Sequence, residues 1–403
     1  MKIGILLTEF PNQTSVAMWR VGVAMRDLGE SVQLLSTRCS GQAKDYAKTF
    51  GDDLSSVFHA WPPSSLSACL QFLRHPTGLL QSLRYLCSLS DQPLRGKVKL
   101  LGLLVSGASL ARYCRREGID HVVVHSMANA AHLIAFAKYF AGSSFSLRLG
   151  GDLEVYGGDH DRKTEQASLI IAAAENNRKQ VIRELGLSPD RVIQSSLGVD
   201  CSQFRPPSLP RVAPSLSDPV RLVTVARLNR CKGHTDVFAA MERLQDSGIA
   251  ISYRVVGEGP QRQELEAEVA RRRLTGHVKF VGAANQEVVI SELQRAQVFV
   301  LPSVGKGEAS PVALLEAMAC GLVSIATRIG GTPQMIDDGT DGYLVDQHSP
   351  EQIAERIEGI ANHAMNFESV SRQARERALE SDCHQVARKI LSAIRIQEAK
   401  EAT

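Results

Sequence analysis

Strand-like and helix-like segments alternate along this chain, and this alternation limits the folds that are open to it. In the first half, the runs that predict strands are IGILLT, VQLLST, HVVVHS, FSLRLG and SLIIAAA. Helical patterns lie between these runs, around residues 16–29, 65–116, 128–140 and 175–185. Alternating strands and helices form a parallel sheet with crossover helices on its faces. The first half is therefore predicted to be an α/β domain.

The second half repeats the alternation after a polar, Pro-rich connection that runs from Arg205 to Pro219. Its predicted strands are VRLVTVA, ISYRVVG, HVKFVG, VFVLPS, LVSIAT and GYLV. We expect two Rossmann-like, doubly wound domains that face a cleft. The predicted boundaries are 1–205 for the N-terminal domain and 206–380 for the C-terminal domain, with a helix over 381–403 that packs back on the first domain.

Composition places the chain among globular proteins, since 44% of its 403 residues are hydrophobic and 22% are charged. Its eight cysteines include no C-x-x-C pair, which argues against a zinc site or a secreted disulfide framework. No apolar run reaches the ~18 residues of a spanning helix, and the first strand begins at Lys2 without a signal peptide. We expect a cytoplasmic protein.

Residues 61–116 form a basic segment with eight Lys or Arg residues and one acid, Asp91. The charges are interleaved with apolar clusters, which is typical of amphipathic helices on an anionic membrane surface. The alternative is that these are ordinary helices that cover a sheet and expose their charges to water. Nucleic acid is not an expected partner, because the segment lacks a stacking platform and the whole chain is only 5% aromatic.

One predicted helix, PVALLEAMAC, is apolar on all sides except at Glu316. Ser310 is its predicted N-cap, Pro311 suits the first helical position, and Gly321 suits the stop. A helix without a polar face is buried, and a buried carboxylate without a partner costs several kcal/mol. Glu316 should therefore meet the hydroxyls of a ligand, donors of the protein or, in the alternative reading, a core arginine.

Charged residues also follow the predicted strands near this helix. The free amides at the helix start favour an anion, and Glu308 stands in the loop before it. Arg227 and Lys232 come after VRLVTVA, at the carboxyl end of a strand, where doubly wound sheets bind ligands. Two such cations suit a diphosphate, although each residue alone could be a solvated loop charge.

These residues lie in a pattern that resembles a known family. The run GKGEASPVALLEAMACGLVSIATRIGGTPQMIDDGTDGYLV, with VTVARLNRCKGH and VVGEGPQRQELE before it, resembles the donor domain of retaining glycosyltransferase family four, which has the GT-B fold. The match covers residues 220–346, and the family's E-x7-E pair falls on Glu308 and Glu316.

The resemblance implies a nucleotide-diphosphate sugar as donor, with no cofactor and no metal site. It implies that Glu316 contacts the nucleotide ribose and that Glu308 lies near the donor sugar. The leaving diphosphate is expected to contact the Arg227 and Lys232 side chains and the backbone at the start of the helix, which comprises Ala309, Ser310, Pro311 and Val312.

The first half matches the family less well. His125, at the end of HVVVHS, aligns with a family histidine that touches the donor sugar, so His125 and Glu308 are the expected catalytic residues. The loop TEFPNQTSVAMWR lacks the Gly-Gly turn of many members, and Arg148 stands where the family often has a second histidine. An Asp-His-Asp triplet at 159–161 has the spacing of a metal motif, but we interpret it as incidental because it lies away from the donor features.

The expected activity is a retaining, metal-independent transfer to a saccharide or a lipid-linked saccharide, in cell-surface polysaccharide or glycolipid biosynthesis. Such an enzyme would act in the cytoplasm, with peripheral contact to the inner face of the plasma membrane through residues 61–116. Two alternatives stay open. A sugar-nucleotide 2-epimerase-like isomerase would turn over the donor without any acceptor, and a noncatalytic sugar-nucleotide-binding module would bind the donor without turnover.

Overall fold

The structure, a computed structural model, describes residues 1–12, 15–41, 46, 49–141, 143–209, 211–214, 218–305, 308, 310–362 and 365–401. The chain forms two compact units. The first unit comprises Met1–Gly198 and Cys383–Thr403, and the second unit comprises Val199–Asp382. None of the helices in these described ranges combines the length and the apolar character that crossing a membrane requires.

The first unit is built on a seven-stranded sheet in which all neighbouring strands are parallel. Its strands are β1 (Lys2–Phe10), β2 (Ser31–Cys39), β3 (Phe58–Trp61), β4 (His121–Val124), β5 (Ser144–Leu149), β6 (Leu169–Ala172) and β7 (Val192–Gln194). They are ordered β3-β2-β1-β4-β5-β6-β7. The two short edge strands, β3 and β7, are absent from the sequence-based prediction.

Helices cover both faces of this sheet. They are α1 (Ser15–Asp27), α2 (Asp53–Ser56), α3 (Ser65–Arg74), α4 (Pro76–Ser88), α5 (Leu94–Glu117), α6 (Asn129–Ala141), α7 (His160–Glu165), α8 (Glu175–Leu185) and, from the end of the chain, α16 (Cys383–Glu401). The helical pattern predicted over 65–116 is divided into three helices. The divisions fall at Pro76 and Pro93, since proline lacks an amide hydrogen and disfavours helical backbone before it.

The second unit has a six-stranded parallel sheet of the same kind. Its strands are β8 (Val220–Val225), β9 (Ile251–Val256), β10 (Val278–Gly282), β11 (Val298–Leu301), β12 (Val323–Thr327) and β13 (Tyr343–Val345). Its helices are α9 (His234–Asp246), α10 (Arg262–Arg271), α11 (Gln286–Arg295), α12 (Val312–Ala319), α13 (Thr332–Met335), α14 (Pro350–Ala361) and α15 (Phe367–Glu380).

The order β10-β9-β8-β11-β12-β13 confirms the prediction of a second doubly wound sheet. In each sheet the chain reverses its direction of travel at one place, between β1 and β4 in the first unit and between β8 and β11 in the second. Ligands of such sheets bind at this switch point, outside the carboxyl ends of the strands. A ligand-binding site is therefore expected at these two edges.

Candidate functional site

At the switch point of the second unit, the loop after β8 lies directly on the loop after β11. A 3₁₀ turn, Arg230–Lys232, ends at Gly233, which has a φ of 62°. A side chain on Gly233 would overlap the carbonyl oxygen of Pro302, so only glycine allows this approach. The amide of Val304 donates to the carbonyl of Cys231 at 2.8 Å. The two loops are thus joined through their backbones.

The loops after β9 and β12 join the same assembly. The amide of Leu228 donates to the carbonyl of Glu258, and the amide of Gln261 donates to the carbonyl of Leu228, both at 3.0 Å. On the other side, the amide of Gly331 donates to the carbonyl of Glu308 at 2.8 Å. Loops after four strands therefore hold one another in place at the carboxyl edge.

Lys232 and Glu308 meet at this edge as an ion pair. The side chain of Lys232 is 19% exposed and that of Glu308 is 10% exposed. Burial lowers the pKa of Lys232, with a smaller contribution from the nearby positive charge of Arg227. The site thus presents a cation that suits phosphate oxygens beside a carboxylate that suits hydroxyl groups.

Helix α12 begins one residue later than the sequence predicted. Its N-cap is Pro311, and Ser310 is not the cap. The hydroxyl of Ser310 is buried and has no hydrogen-bond partner among the described residues. The reason is that Pro311 has extended backbone, with a ψ of 112°, which moves Ser310 away from the amides of the first turn. The first turn, from Val312 onwards, still presents the unpaired amides of a helix start.

Glu316 lies in the buried part of α12 and is 9% exposed. The helix ends before Gly321, which has a φ of 70° as expected for a helix stop. Ala309, a predicted donor contact, lies outside the described residues, as does Gly307. Among the predicted donor contacts, the described geometry brings the side chains of Lys232 and Glu308 into contact with each other.

Arg227 is exposed at the start of the loop after β8. Its carbonyl oxygen faces Nε2 of His234 at 3.3 Å. His234 is 2% exposed, and burial lowers its pKa to about 4, so it is neutral at physiological pH and can donate this bond. Sequence reasoning missed His234. The signal was its position directly after Gly233, the glycine that ends the loop carrying the predicted diphosphate contacts Arg227 and Lys232.

At the switch point of the first unit, His125 follows β4, and its amide donates to the carbonyl of Leu6 on β1 at 2.8 Å. The side chain is half-buried, and its Nδ1 atom is buried without a hydrogen-bond partner among the residues described. Burial, with a smaller contribution from the positive charge of Arg148, lowers the pKa of His125 to about 3. The imidazole is therefore neutral and can orient a hydroxyl group.

The Asp-His-Asp triplet lies in the first unit, where Asp159 joins two loops. One carboxylate oxygen of Asp159 accepts the amides of Ser90 and Asp91, at 2.7 and 3.1 Å. The amide of Asp159 in turn donates to the carboxylate of Asp91 at 2.7 Å. Across the described ranges, no group of three or more His, Cys, Asp or Glu side chains is arranged to hold a metal ion.

Sequence comparison identifies the second unit. Residues 209–377 match the family model "Glycosyl transferases group 1". Over 96% of its length the chain is 26% identical to WcaL of Escherichia coli K12, named as a colanic acid biosynthesis glycosyltransferase, and the match covers 97% of that protein. Half of the chain is 28% identical to AmsK, an amylovoran biosynthesis glycosyltransferase of Erwinia amylovora, over 49% of AmsK.

Solved structures give the same result for the fold. The chain superposes on Anabaena HepE in complex with UDP-glucose with a TM-score of 0.72 at 17% identity, covering 98% of this chain and 99% of HepE. A glycosyltransferase from Rickettsia africae superposes with a TM-score of 0.72 at 16% identity, covering 98% of both chains. These likenesses confirm the expected GT-B fold.

Proposed function

Because residues 209–377 form a glycosyl transferases group 1 domain, the chain is a glycosyltransferase, and we propose that it is a retaining, metal-independent one. Its donor is a nucleotide-diphosphate sugar, and its acceptor is a saccharide hydroxyl. The observation that carries this proposal is the contact of Lys232 with Glu308 at the switch point, beside the loop that leads into α12. This arrangement offers a cation for the diphosphate of an activated sugar and a carboxylate for the hydroxyl groups of its sugar.

The positive groups act on the diphosphate. Glycosyl transfer builds negative charge on the leaving phosphate, and prepositioned positive groups stabilise that charge more in the transition state than in the ground state. Lys232, Arg227 and the amides at the start of α12 supply this stabilisation. When the diphosphate binds, Lys232 exchanges part of its contact with Glu308 for phosphate oxygens, which leaves Glu308 able to accept sugar hydroxyls.

The two carboxylates hold hydroxyl groups of the donor. Glu316, inside α12, contacts the nucleotide ribose, and Glu308 contacts the sugar. The neutral His125 orients the sugar near the reaction centre. The acceptor hydroxyl attacks the face from which the diphosphate leaves, and a phosphate oxygen takes its proton. This route retains the anomeric configuration and uses no protein nucleophile.

The relatives support a class of product. WcaL and AmsK are named for colanic acid and amylovoran biosynthesis, and HepE was crystallised with UDP-glucose. We therefore propose a UDP-sugar donor and a cell-surface polysaccharide as the product.

A donor panel tests this function. Thermal shifts with UDP-, GDP- and ADP-sugars should show a rise in melting temperature with one nucleotide, because a ligand that binds only the folded protein stabilises it. The product linkage, read by NMR, should have the anomeric configuration of the donor. An inverted linkage excludes the retaining mechanism, and turnover of the donor without any acceptor indicates an isomerase.

Residues 61–116 support a further part of the proposal, contact with an anionic membrane. Leu94, Val98 and Leu101 form an exposed stripe at i, i+4 and i+7 on α5, and Leu66 and Leu73 are exposed seven residues apart on α3. Leu73 is 81% and Leu94 is 79% exposed, so these helices do not bury all of their leucines against the sheet. Apolar side chains among lysines and arginines fit the interface of an anionic bilayer.

Vesicle flotation tests this contact. The protein should float with phosphatidylglycerol vesicles and much less with phosphatidylcholine vesicles. Leu94→Ser with Val98→Ser should weaken the binding. Leu209→Ser is the matched control, since Leu209 is 80% exposed but lies in the second unit, outside the basic segment. If the variant with Leu94→Ser and Val98→Ser floats as well as the wild type and the Leu209→Ser control, the proposed membrane contact is wrong.

A further inference from the structure

Arg148 is a fully buried arginine at the switch-point edge of the first unit. It lies near the end of β5 and is 1% exposed. Strands β4 and β5 pair Val123 with Ser146 and Val124 with Leu147, so the register places Arg148 beside His125, on the same face of the sheet. The charge of Arg148 acts on the imidazole of His125, which agrees with this placement.

The guanidinium group of Arg148 has few hydrogen-bond acceptors among the described residues. Its Nη2 donates to the carbonyl of Ser195 at 3.0 Å. Its Nε and Nη1 atoms are buried and have no hydrogen-bond partner in the described part of the chain. A buried donor without an acceptor costs free energy, and more so when it carries charge, so a structural arginine would be expected to have more partners than this.

The charge of Arg148 also has no counterion among the described residues. No aspartate or glutamate of the described ranges forms an ion pair with it. Two of its neighbours are uncharged, since burial keeps the pKa of His125 low and raises the pKa of Tyr156, whose hydroxyl accepts a hydrogen bond from the amide of Gly150 at 2.8 Å. Burial lowers the pKa of Arg148 itself to about 10, which leaves it charged at neutral pH. A buried positive charge of this kind calls for an anion.

Helix α1 adds to the positive potential of this edge. Its residues Met18 and Val21 pack with Val123 and Ile171, on the face that carries His125 and Arg148. Because α1 follows β1, it begins at the carboxyl edge of the sheet, and a helix start attracts negative charge.

We propose that Arg148 binds the oxyanion of a charged sugar, a carboxylate or a phosphate ester, through Nε and Nη1 while His125 orients a neighbouring hydroxyl. The inference rests on the proposed glycosyl transfer and deepens it, because it assigns an acidic or phosphorylated saccharide as substrate. The charged sugar is either part of the acceptor or the sugar of the nucleotide donor.

Paired ligands that differ in one charged group test the proposal with the full-length protein. Titration calorimetry compares glucuronate and glucose 6-phosphate with glucose for the acceptor source, and UDP-glucuronate with UDP-glucose for the donor source. The anionic member of at least one pair should bind about 10- to 100-fold more tightly, as expected for charge-assisted hydrogen bonds in a buried site. Arg148→Gln should reduce this preference to about twofold or less.

Arg183→Gln is the matched control, since the Arg183 side chain is 74% exposed in the same unit. It should keep the wild-type preference. Wild-type protein that binds charged and neutral members equally in every pair overturns the proposal, as does an Arg148→Gln variant that keeps the preference. If Arg148→Gln does not fold, crystals of the wild type soaked with the preferred ligand decide, since the charged group must lie on Arg148 and not elsewhere.

The outcome separates this proposal from the proposed function. Binding of UDP-glucose without preference for any charged sugar removes the role of Arg148 and leaves glycosyl transfer intact. Absence of binding by every nucleotide sugar removes the transfer reaction, whatever the free sugars show.

Discussion

The two switch-point edges have the same strand topology but are built in different ways. In the second unit, backbone hydrogen bonds between loops form the edge, as between Val304 and Cys231 and between Gly331 and Glu308. In the first unit, the edge presents buried side-chain atoms without partners in the described ranges, at His125 and Arg148. We infer that backbone contacts hold in place the side chains proposed to bind the donor at the edge of the second unit, whereas the edge of the first unit leaves polar atoms of His125 and Arg148 to a ligand.

The largest expected effect follows from removing the cation of the backbone-built edge. Lys232→Ala should lower turnover by about 100- to 1000-fold, because a prepositioned group that stabilises the leaving phosphate is lost. Steady-state kinetics with the preferred donor measures this change. Arg230→Ala is the control, since the Arg230 side chain is 84% exposed in the same turn and should leave turnover unchanged. Equal losses in both variants would point to the turn itself and not to the Lys232 charge.

A second prediction tests whether the loop-to-loop approach maintains that edge. Gly233→Ala should destabilise the protein by about 3 kcal/mol, since alanine is strained at positive φ and its Cβ overlaps the Pro302 carbonyl. Gly248→Ala, at the other end of α9, has a φ of 75° with nothing within 4 Å, and should cost only about 1 kcal/mol. Urea unfolding compares the two. Similar midpoints for both variants would show that the Pro302 contact does not matter.

Acid should weaken the first unit more than the second. Burial lowers the pKa of His121 to about 3 and of His132 to about 4 in the first unit, and of His234 to about 4 in the second. Because these folded pKa values lie below the unfolded value, protonation favours the unfolded chain. Stability is present above about pH 6.5 and is lost as the pH falls towards the folded pKa, by about 2 kcal/mol per histidine at pH 5.

Hydrogen exchange of the wild type at pH 7 and pH 5, corrected for intrinsic rates, measures this loss in each unit separately. His132→Gln should reduce the acid sensitivity of the first unit. Equal acid sensitivity of both units would contradict the histidine assignment.

The smallest expected effect concerns divalent cations. Treatment with EDTA should leave turnover unchanged, because in the proposed mechanism Lys232, Arg227 and the helix amides supply the charge that a metal would otherwise bring to the diphosphate. Turnover is compared before chelation, after chelation and after Mg²⁺ or Mn²⁺ is restored. A loss that the added metal reverses would contradict the metal-independent mechanism.

The sequence was sufficient for predicting most of the second unit. Its six strands are short apolar runs, and the loops that approach one another most closely carry glycines, as at Gly233 and Gly257. Such features are local, so a single sequence displays them. The start of α12 was misplaced by one residue because Ser310 and Pro311 both suit a helix start, and only the backbone angles distinguish them.

The first unit was harder to predict for physical reasons. Strands β3 and β7 have only four and three residues, too few for a periodic pattern. The burial of Arg148 depends on partners from distant segments, such as Ser195, which no local pattern reveals. The available signal was an arginine inside a central strand, SFSLRL, that carries no other charged residue.

The path of the chain between the units has a consequence for its synthesis. Residues of α16 complete the core of β1, α1 and β6, yet they leave the ribosome only after the whole of the second unit. At translation rates of about 5 to 20 residues per second, residues 199–382 take roughly 10 to 40 s to emerge. During that interval the apolar surface that α16 will cover is exposed on the nascent first unit. Chaperones can bind this surface until α16 has been synthesised.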